Sequence, residues 1–420
     1  MSDFEHYLDV YAEIIVKVGL NIQDEQRLLI GMPFFDIHGA QIELAPLIRK
    51  ITKHAYQSGA KLVDVMWNDE ELELIRHKYA PRDSFDTFPT WRTDGALEIA
   101  NSGDAVLIFA ATSPELLKDQ NSDLINQYFV RVLEHTKPIL NKRITNDFTL
   151  SIAAAPIKSW SDKVFQDIPS KERLNYAWDI IFKMCRVYES DPINAWKEHR
   201  VSLIKRADYL SQKAYRGLKL TGPDTDLFVG LAEGHIWKAA SATHKRGFNF
   251  IPNIPTEEVF TSPHKDLTEG IVKTTKPLSH YGSLIEDIVL TFSAGKIIKA
   301  TAKKGETSLK NILKTDEGIL RLGEIALVPH SSPISQMNRL FYNILIDENA
   351  SNHIAIGQAY KFSVQGGEKM TDEEFAEVGG NSSLDHLDLM IGSEEMNIDG
   401  LTKDGKTEQI MKNGEWSFNI

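Results

Sequence analysis

The chain has one cysteine, Cys185, among 420 residues, so no disulfide can form within it. That cysteine sits in an apolar, helix-like stretch, which leaves no thiolate for a soft-metal centre. No apolar run is long enough to span a bilayer. The opening Met1-Ser-Asp-Phe-Glu-His6 has no basic segment leading into an apolar stretch, so no secretory signal is expected and the cytoplasm is the expected compartment. Basic residues are outnumbered, 47 to 59, for a net charge of −12. A general nucleic-acid binder needs the opposite balance to neutralise phosphates. No Gly-x-Gly-x-x-Gly and no Walker-type loop follows any strand-like segment, so nucleotide binding is not expected. Ser331 and Ser332 lack the Gly-x-Ser-x-Gly elbow of a serine hydrolase.

What is present is an ordinary globular composition, 42% hydrophobic and 25% charged, in a chain long enough for two or three domains. The first half alternates helix-like and strand-like segments. Phe4, Tyr7, Leu8, Tyr11, Ile14, Ile15 and Val18 recur at helical spacing up to Gly19, and Arg27–Gly31 reads as a strand. A helix is predicted from Ile42 to Ser58, then strands at Lys61–Met66 and Asp104–Ala110, the last apolar enough to be covered on both faces. This is the pattern of an α/β domain with a partly parallel sheet. After a helical stretch from Lys171 to Lys213, strands and tight turns dominate, including a hairpin about Ser293-Ala-Gly295 and another about Asn413-Gly414. The expected division is an α/β domain over residues 1–210 and a strand-rich domain over 211–420 that carries the site.

Five residues of the second half sit in segments too apolar to hold unpaired charge: Glu258, Glu324, His353, His386 and Asp388. Ser383–Ile391 reads as a buried strand, with His386 and Asp388 on one face and Leu387, Leu389 and Ile391 on the other. Glu324 lies in Leu322-Gly-Glu-Ile-Ala-Leu-Val328, and His353 leads His353-Ile-Ala-Ile-Gly357. Each has a plainer reading. Glu257 and Glu258 could open a helix capped by Thr256, Glu324 could pair with Arg321, His353 could be a hydrogen-bonded core histidine, and His386 with Asp388 could be an ion pair on a strand face. Their coincidence within about 130 residues favours a metal site, because catalytic sites recruit mixed His and carboxylate ligands from separate elements. Five such ligands exceed what one tetrahedral ion takes, so two metals are expected; zinc, cobalt or manganese suit the donors, with magnesium admissible.

The segments Asn253-Ile-Pro-Thr-Glu-Glu-Val-Phe-Thr-Ser-Pro-His264, Glu348-Asn-Ala-Ser-Asn-His-Ile-Ala-Ile-Gly357 and His386-Leu-Asp-Leu-Met-Ile-Gly392 resemble the site motifs of the thermophilic aminopeptidases of the aminopeptidase T and aminopeptidase S type. Val18-Gly-Leu-Asn-Ile-Gln23, Tyr56–Val65, Thr221–Leu227 and Lys412-Asn-Gly-Glu-Trp416 extend the likeness over nearly the whole chain. The resemblance implies a metal-dependent aminopeptidase with two metals in its carboxyl-terminal domain, working as a homodimer on peptides with a free amino terminus. It implies Glu258 as a ligand to one metal, Glu324 as a bridging carboxylate, and His353, His386 and Asp388 as the other principal ligands. Glu348 matches an acidic position, as a sixth ligand or general base, and Tyr360 a tyrosine at the site, otherwise read as an amphipathic residue at a strand end. Two metals would activate water against a carbonyl, a carboxylate would carry the proton, and Tyr360 would donate to the oxyanion. Glu257, Glu258 and Glu348 all stay open as the base. The donor set alone also admits a phosphoester or cyclic-amide hydrolase, or a metal-binding protein without turnover.

Overall fold

The computed structural model describes residues 2–34, 37–280 and 283–420. It divides into two compact units, residues 1–198 with 241–255, and residues 199–240 with 256–420. The expectation of a mixed α/β fold holds, with a parallel sheet in the first unit and a strand-rich second one.

The first unit is built on five parallel strands in the order Asn253–Ile254, Thr149–Ala154, Ala105–Ala110, Arg27–Ile30 and Leu62–Val65. Helix Ala45–Gln57 makes the crossover between Arg27–Ile30 and Leu62–Val65, burying Leu47, Ile48, Ile51 and Ala55 at helical spacing. Ala105–Ala110 is apolar throughout because it lies inside the sheet, and Val106 and Ile108 join Leu29, Ile99 and Leu150 in one core cluster. The predicted first helix continues as a π-helical turn over Ile15–Leu20, ending where Asn21 adopts a left-handed conformation, φ 45°.

The second unit stacks an eight-stranded sheet and a five-stranded sheet over one core. The smaller sheet, antiparallel at every pairing, runs His386–Met390, His353–Gly357, Leu322–Leu327, Val259–Thr261 and Lys238–Ala239. Val259, Ile325, Leu327, Ile354, Ile356, Leu387 and Leu389 pack into the shared core with Leu218, Leu220, Leu227 and Val229 of the larger sheet. Period-two alternation therefore sends the intervening residues, His386, Asp388, His353, Glu324 and Phe260 among them, to the opposite face.

Two local readings differ from expectation. Residues 256–258 are not helical but lead directly into the Val259–Thr261 strand. The strand carrying Asp388 begins at His386 rather than Ser383, because the Asp316 carboxylate accepts from Ser383 Oγ at 2.9 Å and from the Leu384 amide at 2.6 Å, holding those residues out of the ladder. Ile354, fully buried on the core face beside His353, tests what this packing supplies. Ile354→Ala is expected to lower unfolding stability by roughly 2–5 kcal/mol in urea denaturation; a loss below about 1 kcal/mol would show that the core face is not tightly packed there.

Candidate metal centre

The sheet brings the five sequence-singled residues together. Nε2 of His353 lies 3.1 Å from Glu258 Oε2, 3.6 Å from Glu324 Oε1 and 4.0 Å from Asp388 Oδ1. Nε2 of His386 lies 3.4 Å from Asp388 Oδ1 and 3.7 Å from Glu324 Oε2. Glu324 thus turns one oxygen toward each histidine. Glu258, Glu324 and His353 place ligand atoms within 4.8 Å of one another, the metal-type cluster found among the described residues. Glu348, on the short helix Ile344–Glu348, lies close enough for its charge to act on the same group. Register explains the convergence: Ala326 pairs with His353, Glu324 with Ala355, and Ala355 with Asp388. Gly357 faces His386 across the ladder at φ 100°, where an added Cβ would meet Asp385 O at 2.2 Å.

The histidines are oriented by backbone. His353 Nδ1 lies 3.0 Å from Ser351 O, and His386 Nδ1 lies 2.7 Å from Gln358 O. A carbonyl only accepts, so each Nδ1 carries the proton and each Nε2 faces the carboxylates, the arrangement of a metal-ligating imidazole held by its other nitrogen. Glu258 Oε2 is buried, with His353 Nε2 3.1 Å away.

Electrostatics point the same way. Glu258, Glu324, Glu348 and Asp388 are each at most 9% exposed. Burial pushes Glu348 well above the usual glutamate range, and Asp388 and Glu258 push it further. Burial likewise raises Glu324, opposed by His353. Burial would raise Asp388 too, but His386 holds it below the usual aspartate range. For both histidines burial acts downward and loses to the carboxylates: His386 is pushed up to about 9, chiefly by Asp388, and His353 well above its ordinary value by Glu258 and Glu324. With all four carboxylates ionised, two imidazolium ions would leave a charge of −2 in this buried cluster, which the upward push on Glu348 and Glu324 opposes. Such a charge costs several kcal/mol or more. Divalent cations fit this donor set, which is all oxygen and imidazole nitrogen.

A profile of the thermophilic metalloprotease (M29) family matches residues 4–416. The chain belongs to that family. M29 relatives include aminopeptidase 2 of Geobacillus stearothermophilus, 42% identical with 100% of both chains covered, and aminopeptidase T of Thermus thermophilus, 37% identical over 99% of this chain and 100% of that one. The solved wild-type AmpT from Thermus thermophilus superposes with a TM-score of 0.91 at 36% identity, covering 99% of this chain and 100% of its own. The resemblance drawn from the site motifs therefore stands, and the family implies a divalent metal.

The plainer readings fare unevenly. Glu257 and Glu258 open no helix: the Glu257 amide donates to Asn349 Oδ1 at 2.7 Å, and Glu257 Oε2 lies 3.6 Å from His199 Nε2. Arg321 bonds Asp266 at 2.8 Å, while Glu324 faces the histidines. His386 and Asp388 do sit as a close pair on one strand face, though within the larger cluster. Tyr360 stacks on Phe362 with ring centroids 5.1 Å apart and stands 5.0 Å from the His386 ring.

Asn349 was missed. Wholly buried, it accepts from the Glu257 amide and donates to Leu345 O at 2.9 Å and to Glu348 Oε1 at 3.3 Å, tying the Glu258 segment to the Glu348 helix. The only trace of this in the sequence is an asparagine next to Glu348 in an apolar setting. Because Asn349 holds two prospective ligands in register, Asn349→Ala is expected to weaken divalent-metal affinity by about 10–100-fold in calorimetric titration. An unchanged affinity would mean that the ligands hold their places without it.

Proposed function

We propose that the chain is a metal-dependent aminopeptidase that removes amino-terminal residues from peptides and that two divalent ions would be held by the cluster, with Glu324 shared between them. The observation that carries this reading is the charge of the cluster together with the division of Glu324 between two histidines. Two divalent ions match four carboxylates and two neutral imidazoles, whereas one leaves the site at −2. Glu258 and His353 would serve one position, His386 and Asp388 the other, and Glu348 would be a sixth ligand or the base. When bound, the ions supply Lewis acidity toward the scissile carbonyl and a nucleophile formed from water near neutral pH.

The chain's own residues do the rest. The carboxylates and the sheet face fix where the substrate's free amine and first carbonyl can lie, which converts binding into orientation. Glu348, raised by burial and its acidic neighbours, is suited to take a proton from the attacking water and pass it to the leaving amine. Tyr360, held by Phe362 against His386, donates to the oxyanion of the tetrahedral intermediate. The same donors admit phosphoester or cyclic-amide hydrolysis; the names of the M29 relatives favour the peptidase. The homodimer implied by the family likeness, and the cytoplasmic compartment expected from the sequence, belong to this reading.

Leucine amide should be hydrolysed only after cobalt, zinc or manganese is restored to chelator-stripped protein, and N-acetylation should abolish cleavage. Glu324→Gln should lower kcat by about 100-fold or more, a loss on the scale of removing a transition-state stabiliser. Turnover of the acetylated substrate at the same rate would contradict an exopeptidase.

A further inference from the structure

The cross-strand register places five residues in one row on the site face: Met390, His353, Ala326, Phe260 and Lys238. Directly opposed residues of antiparallel strands share a face, so Lys238 lies on the same side as the metal cluster, at the far end of its row. Three strand spacings separate it from His353, about 14 Å between backbones. Between them the row consists of the small side chain of Ala326 and then Phe260, whose ring stands 6.2 Å from both Tyr360 and Phe362. The side chain of Lys238 is half-buried on the edge strand Lys238–Ala239. Among the described residues it forms no ion pair or hydrogen bond; exposed Glu368 and Asp208 act on it only at longer range. Burial pushes its ammonium below the usual lysine range, the state of a cation that has lost water without gaining an anion.

We infer that Lys238 receives the α-carboxylate of short peptide substrates, so that a di- or tripeptide lies along this row with its amine at the metal cluster. This rests on the aminopeptidase reading and adds a substrate class to it. The dimensions agree: an extended tripeptide spans roughly 10 Å, and the long stem of lysine closes the remaining distance to the carboxylate. A lysine on an edge strand can also serve only to discourage strand pairing. That role needs exposure, which Lys238 has only in part.

The test compares kcat/KM for leucyl-glycyl-glycine and for its carboxyl-terminal amide, in the metal-loaded wild type and in Lys238→Met and Lys238→Glu. The wild type should prefer the free acid by about tenfold, the scale of a charge-assisted hydrogen bond. Lys238→Met should bring the ratio near one through a higher KM for the acid, and Lys238→Glu should favour the amide. A wild-type ratio already near one, or a ratio unchanged by both substitutions, would overturn the inference and leave the aminopeptidase standing. A wild type that cleaves neither peptide, though metal-loaded, would overturn the aminopeptidase reading and this inference with it.

Discussion

Four buried carboxylates on and beside one face of a five-stranded sheet are the constraint on which the second unit depends. Their mutual repulsion in a medium of low polarity would oppose folding unless cations or protons neutralise them. The raised histidines and glutamates express that demand: the cluster takes up charge compensation from whatever source it has. The opposite face, with Ile325, Ile354, Ile356, Leu387 and Leu389, contributes the apolar burial that offsets the cost and holds the strands in register. One sheet therefore carries the unit's stability on one side and its chemistry on the other.

Precision in the site comes from groups that are not themselves reactive. Backbone carbonyls of Ser351 and Gln358 fix the two imidazoles, and Asn349 ties the Glu258 segment to Glu348. Asn352 accepts from the Val328 amide at 2.8 Å just beyond the Glu324 strand. The Gln358–His386, Glu257–Asn349 and Val328–Asn352 contacts join segments 24 to 92 residues apart, so that the cluster is positioned by more than each strand alone.

The charged face of the sheet was legible because His386-Leu-Asp-Leu-Met390 and Gly323-Glu-Ile-Ala-Leu327 alternate charged with apolar residues, which puts the charge on one side and the apolar residues on the other. The parallel sheet of the first unit was legible for a related reason, since a wholly apolar strand such as Ala105–Ala110 needs cover on both faces. Asn349 was not legible, because an amide's role depends on a partner, Glu257, that is 92 residues away. Nor was the row from His353 to Lys238, since register across four strands is decided by pairings that no local pattern encodes. The start of the Asp388 strand was misplaced for the same kind of reason: Asp316, distant in sequence, captures Ser383 and Leu384.

The central proposal is that two ions would share Glu324 in one cluster. The most direct measurement is a titration of the metal-free protein with manganese, followed by electron paramagnetic resonance. The account predicts that two ions bind per chain and that their spectrum shows exchange coupling through a shared bridge. A single bound ion, or two ions with the spectra of isolated manganese, would contradict it.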